Sequence, residues 1–472
     1  MKMFHSGQWQ TGSAEIEVTN PFDGSVIDTV PDGSTDDITA AIDGLVDGAG
    51  VMRRMAAWKR SDILSRCAAL LRDNESRLAE LISSEEGKAI RESRAEVRRS
   101  ASTMQLSAEE AKRLTGEVVP LDATPGGENK LGFTLRVPCG IVAAITPFNF
   151  PLNLVCHKVG PALAAGNSIL VKPATDTPLS ALALVELLLE AGLPAETIAC
   201  VTGSGSRLGA AICRDERIRK ISFTGSADVG RQICEMAGLK RVTMELGSNS
   251  PLVVLPDADL EKVAAATCSA GFTNAGQVCI SAQRLIVAGQ VHDELAEKLA
   301  PMIERIPTGN QLEKTTHVGP MVRESDAERV GHWIDEAVSA GANVISGGER
   351  SGAIYHPTLI TGASPDMRIV KDELFGPAVA MIRADDVEHS IKLAADTRFG
   401  LSAAVYTNDV TAAMKFANGI DSGNIHINGG PQWRADGMPY GGLKESGIGK
   451  EGPKYAVQEM TETKMVVFHG LG

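Results

Sequence analysis

The 472-residue chain lacks several features that would assign it to particular classes of protein. No continuous apolar stretch is long enough to cross a bilayer, and the first residues contain no apolar segment of signal-peptide length. Positive charge is not in excess, because 59 acidic residues outnumber 46 lysines and arginines and give a net charge of −13. Since binding of a phosphate backbone needs clustered cations, we expect neither a membrane nor a nucleic acid among its partners.

The eight cysteines are not spaced as metal ligands or as a disulfide framework. None forms a C-x-x-C pair, the spacing typical of zinc sites. Scattered cysteines in a chain without a secretory signal are typical of a reducing compartment. We therefore expect no bound metal and a cytoplasmic location.

The chain is too long for one ordinary hydrophobic core, and its patterns predict an α/β protein with more than one domain. Apolar residues recur at helical spacing over residues 35–115. From about residue 140, and again over residues 250–404, short apolar runs alternate with amphipathic segments, which is typical of mostly parallel sheets covered by helices. Two such lobes predict a catalytic cleft between them. The predicted strands are Gly140–Ile145, Ser168–Val171, Thr197–Val201, Lys220–Phe223, Val242–Leu246, Pro251–Val254, Leu285–Val287, Ala342–Ile345 and Ala378–Ile382.

Two further apolar runs, Lys130–Val137 and Thr463–Phe468, predict isolated strands away from both lobes. Strands that present an open edge often pair with another subunit. We therefore expect these segments to take part in assembly.

Cys279 lies in a run of small and polar residues that is poor material for a hydrophobic core. Asn274, Gly276, Gln277 and Ser281 surround it. A cysteine in this setting is a candidate nucleophile, because a thiolate attacks carbonyl carbon. The alternative is an inert buried thiol, which is the commoner fate of cysteine in a protein core.

Two other residues suit carbonyl chemistry at such a thiol. Glu245 ends an apolar, strand-like run, where desolvation raises a carboxyl pKa towards the range useful for proton abstraction. Asn149 lies in a loop fixed by Pro147 and Pro151, where its amide can point at a developing oxyanion. The alternatives are a structural ion pair for the glutamate and a rigid turn for the asparagine.

Several motifs at predicted strand ends could hold a phosphate or a ribose. Lys172 follows a strand, at the edge where α/β sheets bind ligands. Gly225 and Ser226 join a strand to a helix, where a phosphate can lie at the helix start. The run 203–209 resembles the dinucleotide fingerprint with one residue too many, and the turn 373–377 offers a carboxylate and an aromatic ring. Each motif alone is equally well explained by an ordinary turn or a solvated strand end.

In this order and spacing, the motifs together resemble the aldehyde dehydrogenase superfamily over essentially the whole chain. The resemblance implies an aldehyde dehydrogenase-like α/β fold with a Rossmann-type cofactor domain, an α/β catalytic domain and a small β oligomerisation arm, assembled as homodimers or homotetramers. The expected boundaries are 1–119 and 139–247 for the cofactor domain, 120–138 for the arm, 248–440 for the catalytic domain, and 441–472 for a return to the cofactor domain and the arm. The matching stretches are Thr146–Pro151, Lys172–Thr175, Phe223–Gly230, Glu245–Gly247, Phe272–Ser281, Glu373–Pro377 and Pro439–Gly449.

The resemblance also implies a role for each candidate residue. Cys279 attacks the aldehyde, Asn149 and the backbone N–H of Cys279 stabilise the oxyanion, and hydride passes to NAD or NADP. Glu245 then activates the water that releases a carboxylic acid. Two alternative functions remain, transfer of the acyl group to CoA and non-catalytic binding on the same fold. Relatives with the first function commonly lack this base, and relatives with the second typically lose the nucleophile. The residues expected to bind the cofactor are Ile145, Thr146, Pro147, Phe148, Lys172, Ala174, Thr175, Gly205, Gly209, Phe223, Thr224, Gly225, Ser226, Val229, Leu246, Gly247, Glu373 and Phe375.

One departure from the common family pattern concerns the cofactor. Thr175 stands where many NAD-specific members carry a glutamate that holds the adenosine ribose and repels a 2′-phosphate. The absence of this glutamate implies that NADP is acceptable, while Asp176, next to Thr175, leaves the preference between the two cofactors open. Both cofactors are expected to support turnover.

A second departure concerns the substrate. The runs 245–250 and 433–442 resemble a subgroup that includes lactaldehyde, non-phosphorylating glyceraldehyde-3-phosphate and phosphonoacetaldehyde dehydrogenases, in which arginines grip a substrate anion. A guanidinium suits this role because its planar fork makes two parallel hydrogen bonds. The substrate-binding candidates are Arg434, Arg99 and His157, with a surface charge as the alternative for Arg99 and a structural role for His157.

Two absences narrow the substrate further. Phosphate-binding members often carry an arginine just before the nucleophile, where this chain has Val278. Only 4 Trp and 4 Tyr are present, too few to suggest an aromatic cage for the quaternary ammonium group of betaine aldehyde. We therefore expect a short polar or anionic aldehyde, such as lactaldehyde, glyceraldehyde or a semialdehyde, as the small-molecule partner.

Overall fold

The structure is a computed structural model that describes residues 1–470. The chain begins with two short hairpins, which four consecutive helices follow. From about residue 130 onward, strands alternate with helices. The strands are β1 (Met3–His5), β2 (Gln8–Gln10), β3 (Glu15–Thr19), β4 (Val26–Pro31), β5 (Val118–Val119), β6 (Lys130–Pro138), β7 (Ile141–Ile145), β8 (Ser168–Lys172), β9 (Ile198–Cys200), β10 (Ile218–Thr224) and β11 (Arg241–Glu245). The helices are α1 (Thr35–Arg54), α2 (Ala57–Asp73), α3 (Glu75–Glu86), α4 (Ile90–Glu110), α5 (Asn153–Ala165), α6 (Leu179–Glu190), α7 (Gly205–Arg214) and α8 (Ala227–Ala237).

The second half repeats the alternation around another sheet and ends in a long strand. Its strands are β12 (Pro251–Val254), β13 (Arg284–Ala288), β14 (Asn343–Ser346), β15 (Arg350–Ser351), β16 (Ile354–Tyr355), β17 (Thr358–Thr361), β18 (Ala378–Ala384), β19 (Ser402–Tyr406), β20 (Asn424–Ile427), β21 (Gly447–Ile448) and β22 (Thr461–His469). Its helices are α9 (Leu260–Phe272), α10 (His292–Glu304), α11 (Glu324–Ser339), α12 (Arg368–Lys371), α13 (Val387–Ala395), α14 (Val410–Gly419) and α15 (Pro453–Glu459).

The first sheet brings the carboxyl ends of five parallel strands to one edge. Its order is β2-β1-β9-β8-β7-β10-β11-β21, and β9, β8, β7, β10 and β11 run parallel. Strands β7 and β8 are buried along their whole length, which agrees with their uninterrupted apolar character. Ile145 pairs in register with Lys172 on one side and Phe223 on the other, and Thr224 pairs with Glu245. The motifs at the ends of these strands therefore converge on one place.

The second sheet supplies the opposite wall of the cleft. Its order is β14-β17-β18-β13-β12-β19-β20, and all its strands except β14 run parallel. Helices cover both sheets, so the predicted α/β fold class is confirmed. Over residues 1–470, every helix is too short or too polar to span a bilayer.

The two strands expected to be isolated in fact pair with each other. Strands β6 and β22 form an antiparallel ladder from Thr461 opposite Pro138 to His469 opposite Lys130. Together with β5 they make a three-stranded sheet in which β22 is an edge strand. Sequence patterns could not reveal this pairing, because the partners are more than 300 residues apart and each run is apolar enough to be a strand by itself.

Arg284 is a buried cation that ties the second sheet together. Its guanidinium is 1% exposed and donates to the carbonyl oxygens of Asn249 at 2.8 Å and of Leu393 and Ala394 at 3.0 Å. These bonds join the segment that enters β12 to the end of α13. Besides the nearby negative charge of Asp396, these carbonyl dipoles are what stabilises the buried cation.

We expect Arg284→Met to lower the free energy of unfolding by about 3 kcal/mol or more, because it leaves buried carbonyls without donors. Thermal unfolding of this variant should show a melting temperature several degrees below that of Arg305→Met, which replaces an exposed arginine. Equal melting temperatures for the two variants would contradict the assigned role.

Candidate active site

Cys279 lies where two cavities meet. A larger cavity of about 730 Å³ follows the carboxyl ends of β7, β8, β10 and β11, and a smaller cavity of about 440 Å³ opens on the other side of the thiol. Cys279 lines both of them. A molecule in one cavity can therefore meet a molecule in the other at the sulfur atom.

The larger cavity gathers all of the residues that sequence reasoning assigned to the cofactor. Close backbone approach is built into its wall. A Cβ at Gly247 would lie 2.1 Å from the Glu373 carboxylate, and a Cβ at Gly225 would lie 2.4 Å from the Phe223 ring. Neither glycine can be replaced without displacing a neighbouring side chain.

Sequence reasoning missed one charged residue of this cavity, Arg323. It comes from the second half of the chain and pairs with Asp176 of the first half at 3.0 Å. Its guanidinium also lies 5.8 Å from the centre of the Phe148 ring. No local motif marks Arg323, so only the three-dimensional structure reveals the contact.

The polar groups of the larger cavity are poised by burial. Burial lowers the pKa of Lys172 to about 8 and raises the pKa of Glu373 to about 7. Glu373 accepts a hydrogen bond from the backbone N–H of Ser248 at 2.9 Å. The hydroxyl of Thr146 is buried without a hydrogen-bond partner among the described residues. Such a group needs a polar ligand or water.

The loop before Cys279 is held in an uncommon conformation. Asn274 and Ala275 both have φ of 53°, in the left-handed region that side chains other than glycine rarely adopt. Two carboxylates, one buried and one partly buried, fix the first of them, since Asn274 donates its side-chain amide to Glu86 at 2.8 Å and its backbone N–H to Glu92 at 2.9 Å. The nucleophile candidate is thus positioned by helices α3 and α4.

Asn149 is anchored beside this loop. Its Nδ2 donates to the backbone carbonyl of Gln277 at 2.7 Å, and its backbone carbonyl accepts from Lys88 Nζ at 2.7 Å. The side chain is 3% exposed. The carboxamide is therefore held in one orientation next to Cys279.

The thiol of Cys279 has one hydrogen-bond partner that sequence reasoning did not identify. The hydroxyl of Tyr440 lies 3.1 Å from Sγ. Burial raises the pKa of the Cys279 thiol to about 12, while the contact with Tyr440 lowers it in part. The contact joins residues 161 positions apart.

Glu245 is a buried carboxylate without hydrogen bonds. It is 3% exposed, and neither of its oxygens has a hydrogen-bond partner among the described residues. Burial and the nearby negative charge of Glu451 raise its pKa well above the ordinary value. A carboxyl group whose pKa is raised in this way holds its proton near neutral pH and acts as a base only after it has ionised.

A buried ion pair lies next to Glu245. Lys158 donates to Glu451 at 2.7 Å, and the two side chains are 0% and 2% exposed. Lys158 also donates to the hydroxyls of Ser222 at 3.2 Å and Thr224 at 2.7 Å. Burial opposes the charge of Glu451, but Lys158 and Arg434 outweigh it and lower the pKa of Glu451 to about 2.

Arg434 lines the smaller cavity and covers Tyr440. Its guanidinium carbon is 3.8 Å from the centre of the tyrosine ring. Its Nη2 contacts Glu451 and His157, each at 3.3 Å. Its Nε is buried and has no hydrogen-bond partner among the described residues. The smaller cavity thus has a charged donor with unused capacity in its wall.

The other two predicted substrate residues meet at Asp436. Arg99 lines the smaller cavity and binds Asp436 at 2.8 Å. His157 is 1% exposed, contacts Asp436 at 3.3 Å and lies behind Arg434 rather than in the wall of either cavity. Burial and the adjacent Arg434 lower the pKa of His157 to about 4, so the imidazole is neutral near pH 7. Within residues 1–470, no cluster of His, Cys, Asp and Glu is arranged to hold a metal ion.

Known proteins of one family match almost the whole of this chain. The model of the aldehyde dehydrogenase family matches residues 9–466. A 3-sulfolactaldehyde dehydrogenase from Priestia aryabhattai is 44% identical over 467 residues, which cover 99% of this chain and 98% of the relative.

Two solved structures match nearly the whole fold. Aldehyde dehydrogenase 21 from Physcomitrella patens, in complex with the reaction product succinate, has a TM-score of 0.97 at 36% identity and covers 100% of this chain and 98% of its own. A glyceraldehyde-3-phosphate dehydrogenase from Methanocaldococcus jannaschii, complexed with NADP, has a TM-score of 0.93 at 36% identity, covering 97% of this chain and 99% of its own.

We expect Lys158→Met to destabilise the protein by about 3–5 kcal/mol, because it leaves Glu451 charged and buried. The double variant Lys158→Met/Glu451→Gln should lose less than the sum of the two single variants in thermal or urea unfolding. The matched control is the exposed pair Lys415–Glu388, at 2.8 Å, whose coupling should be much weaker because water screens both charges. Equal coupling in the two pairs would contradict a special role for the buried one.

Proposed function

The chain belongs to the aldehyde dehydrogenase family, and we propose that it oxidises a short anionic aldehyde to the corresponding carboxylic acid with NAD or NADP. Membership confirms the resemblance, the fold class and an aldehyde-oxidising activity. The observation that carries the substrate proposal is Arg434, whose buried Nε has no partner among the described residues and which lines the smaller cavity together with Cys279.

In the proposed mechanism, Cys279 is the nucleophile. Its thiolate attacks the aldehyde carbon, a C–S bond forms, and the carbonyl electron pair moves to oxygen. Asn149 and the backbone N–H of Cys279 donate to this oxyanion. Asn149 suits the role because its amide carries two hydrogens and the Gln277 carbonyl accepts only one of them.

The larger cavity suits a nicotinamide dinucleotide. Gly225 and Gly247 carry no side chain, which lets the backbone approach a ligand closely. Helix α7 begins at Gly205, and a Cβ added there would lie 4.0 Å from Lys172 Nζ. A helix start beside a lysine is a favourable phosphate site. Lys172 and Glu373 would bind ribose hydroxyls, and Thr146 offers a free hydroxyl. A bound nicotinamide would supply the acceptor for the hydride that leaves the carbon attached to sulfur, and Cys279 would then hold a thioester.

Glu245 is the proposed base for thioester hydrolysis. Water adds to the acyl carbon, its proton passes to the carboxylate, the C–S bond breaks, and the thiolate of Cys279 leaves. The absence of hydrogen bonds to Glu245 among the described residues supports this role, because no other donor occupies either oxygen when a water molecule reaches it. Its raised pKa makes it a better proton acceptor once it is ionised.

The charges of the smaller cavity favour an anion. Lys88, Arg99 and Arg434 line it, against the carboxylates of Glu92 and Glu96. Burial raises the pKa of Glu92 to about 7, so this group is partly neutral at physiological pH. Each cation is paired with a carboxylate, Lys88 with Glu96, Arg99 with Asp436 and Arg434 with Glu451, so the attraction for a negatively charged substrate rests on the donor of Arg434 that has no partner among the described residues.

The relatives support a carboxylate or a sulfonate as the anion. One of them is named for 3-sulfolactaldehyde, and another was solved with succinate as the reaction product. Val278 precedes the nucleophile, which argues against a phosphate. In this proposal Arg434 binds the anion, Arg99 contributes long-range charge, and His157 positions Arg434 rather than touching the substrate.

We also propose that the enzyme assembles as a homodimer or homotetramer through the sheet β5-β6-β22. Strand β22 presents a mostly exposed edge, which can be extended by a second copy. The domain boundaries expected from the sequence, and a cytoplasmic location for a chain whose eight cysteines are all free, are part of the same proposal.

We expect Glu245→Gln to separate the redox step from hydrolysis. Steady-state turnover should fall about 100-fold or more, whereas a first burst approaching one NADPH per active site should persist, because only thioester hydrolysis needs the base. Stopped-flow absorbance measures both phases, and the exposed Glu235→Gln is the control. Loss of the burst together with the steady state would place Glu245 earlier in the reaction.

We expect Arg434→Gln to discriminate between substrates that differ only in charge. The kcat/KM for succinate semialdehyde should fall about 100-fold, as for loss of a charged hydrogen bond, whereas that for butanal should change less than about threefold. Arg434→Lys should recover part of the activity towards the anion. The same comparison of 3-sulfolactaldehyde with lactaldehyde tests the sulfonate. Equal losses for charged and neutral aldehydes would contradict anion binding by Arg434.

We expect the parent enzyme to turn over with both NAD and NADP, and Thr175→Glu to raise the KM for NADP at least about tenfold with little change for NAD. A carboxylate beside the adenosine ribose repels a 2′-phosphate. Thr175→Ser, which keeps the hydroxyl that now contacts the Gly203 carbonyl at 3.2 Å, should behave as the parent. Initial rates at saturating aldehyde measure these effects, and an absence of NADP turnover in the parent would refute the expectation.

A further inference from the structure

Tyr440 makes a contact with the nucleophile that the proposed mechanism does not use. Its hydroxyl is 3.1 Å from Cys279 Sγ, and among the described residues it has no other hydrogen-bond partner. The ring is 2% exposed. A buried tyrosine hydroxyl normally has a partner, and here the partner is the reacting atom.

The backbone holds Tyr440 in this position. Tyr440 and Glu451 form an isolated antiparallel bridge, with hydrogen bonds of 3.1 Å and 2.6 Å between their backbones. The side chain of Glu451 is fixed in turn by Lys158. A Cβ at the next residue, Gly441, would lie 2.8 Å from Glu245. Tyr440 is therefore locked between the ion pair and the proposed base.

The chemistry of the two groups fixes the direction of the hydrogen bond once sulfur is ionised. In the thiol state either atom could be the donor. A thiolate can only accept, so the tyrosine must then donate. Burial raises the pKa of Tyr440 well above its ordinary value, so the hydroxyl keeps its proton. Bonds to an ionised acceptor are shorter and stronger than neutral ones.

Arg434 strengthens this donor. Its guanidinium carbon lies 3.8 Å from the centre of the tyrosine ring, at stacking distance. A cation over the ring draws electron density from the phenol and makes its hydroxyl a better donor. Arg434, Tyr440 and Cys279 thus form a continuous line from the proposed anion site to the nucleophile.

We propose that Tyr440 is a further catalytic residue, whose hydroxyl donates a hydrogen bond to the thiolate of Cys279. It rests on the proposed role of Cys279 as nucleophile. The thiol proton passes to a base in solvent that enters through the smaller cavity, and the charge left on sulfur is stabilised by Tyr440. The same bond forms again when the thioester breaks and the thiolate leaves.

Alkylation of the free enzyme by iodoacetamide tests the proposal without aldehyde or cofactor. The rate of Cys279 modification is followed by peptide mass spectrometry between pH 7 and 10, and it reports the fraction of Cys279 that is present as thiolate. Loss of a charge-assisted bond should lower the thiolate fraction about 10- to 100-fold. The thiolate that remains is more basic and therefore more nucleophilic, which offsets part of this loss. Tyr440→Phe should therefore react about three- to tenfold more slowly. Tyr355→Phe, whose hydroxyl contacts the Gly348 carbonyl at 3.4 Å, should be unchanged.

A second experiment changes the acidity of the phenol and leaves the hydroxyl of Tyr440 in place. The chain has only 4 tyrosines, so replacement of all of them by 3-fluorotyrosine, a more acidic phenol, is practicable. Fluorination should speed alkylation of the parent and leave Tyr440→Phe unaffected. Identical rates for the parent and Tyr440→Phe, or no effect of fluorination on the parent, would overturn the proposal. Aldehyde turnover is a separate readout: its absence in the parent would refute the proposed function instead.

Discussion

The buried ion pair between Lys158 and Glu451 is the contact on which the geometry of the cleft depends. Removing both charges from water costs several kcal/mol each, and their 2.7 Å contact, together with the hydroxyls of Ser222 and Thr224, offsets that cost. Lys158 lies on α5, and Glu451 lies near the carboxyl terminus. The pair therefore fixes the segment 430–451, which supplies one wall of the smaller cavity.

One carboxylate then sets the properties of two functional groups. The negative charge of Glu451 adds to burial in raising the pKa of Glu245. The same charge holds Arg434 through Nη2 and leaves Nε for a ligand. The base and the anion anchor are consequently linked through Glu451, and a substitution at this position would disturb both hydrolysis and substrate recognition.

Local motifs made much of the larger cavity predictable. Parallel strands present their carboxyl ends at one edge, so residues that follow separate strands, such as Lys172 and Gly225, could be brought together on paper. Long-range pairings were not predictable in this way. The contact of Tyr440 with Cys279, the pairing of Arg99 with Asp436 and the ladder of β6 with β22 all join distant segments. Hydrophobic periodicity specifies elements and their buried faces but does not specify which distant side chains meet.

The most direct test of this account is a crystal structure of the enzyme with NADPH and a short dianionic product, succinate or 3-sulfolactate. We expect the distal carboxylate or sulfonate to lie within hydrogen-bond distance of Arg434 Nε, and the new carboxylate to lie beside Cys279 Sγ and the amide of Asn149. A distal anion bound to Lys88 or Arg99 alone, with Arg434 Nε still without a partner, would contradict it.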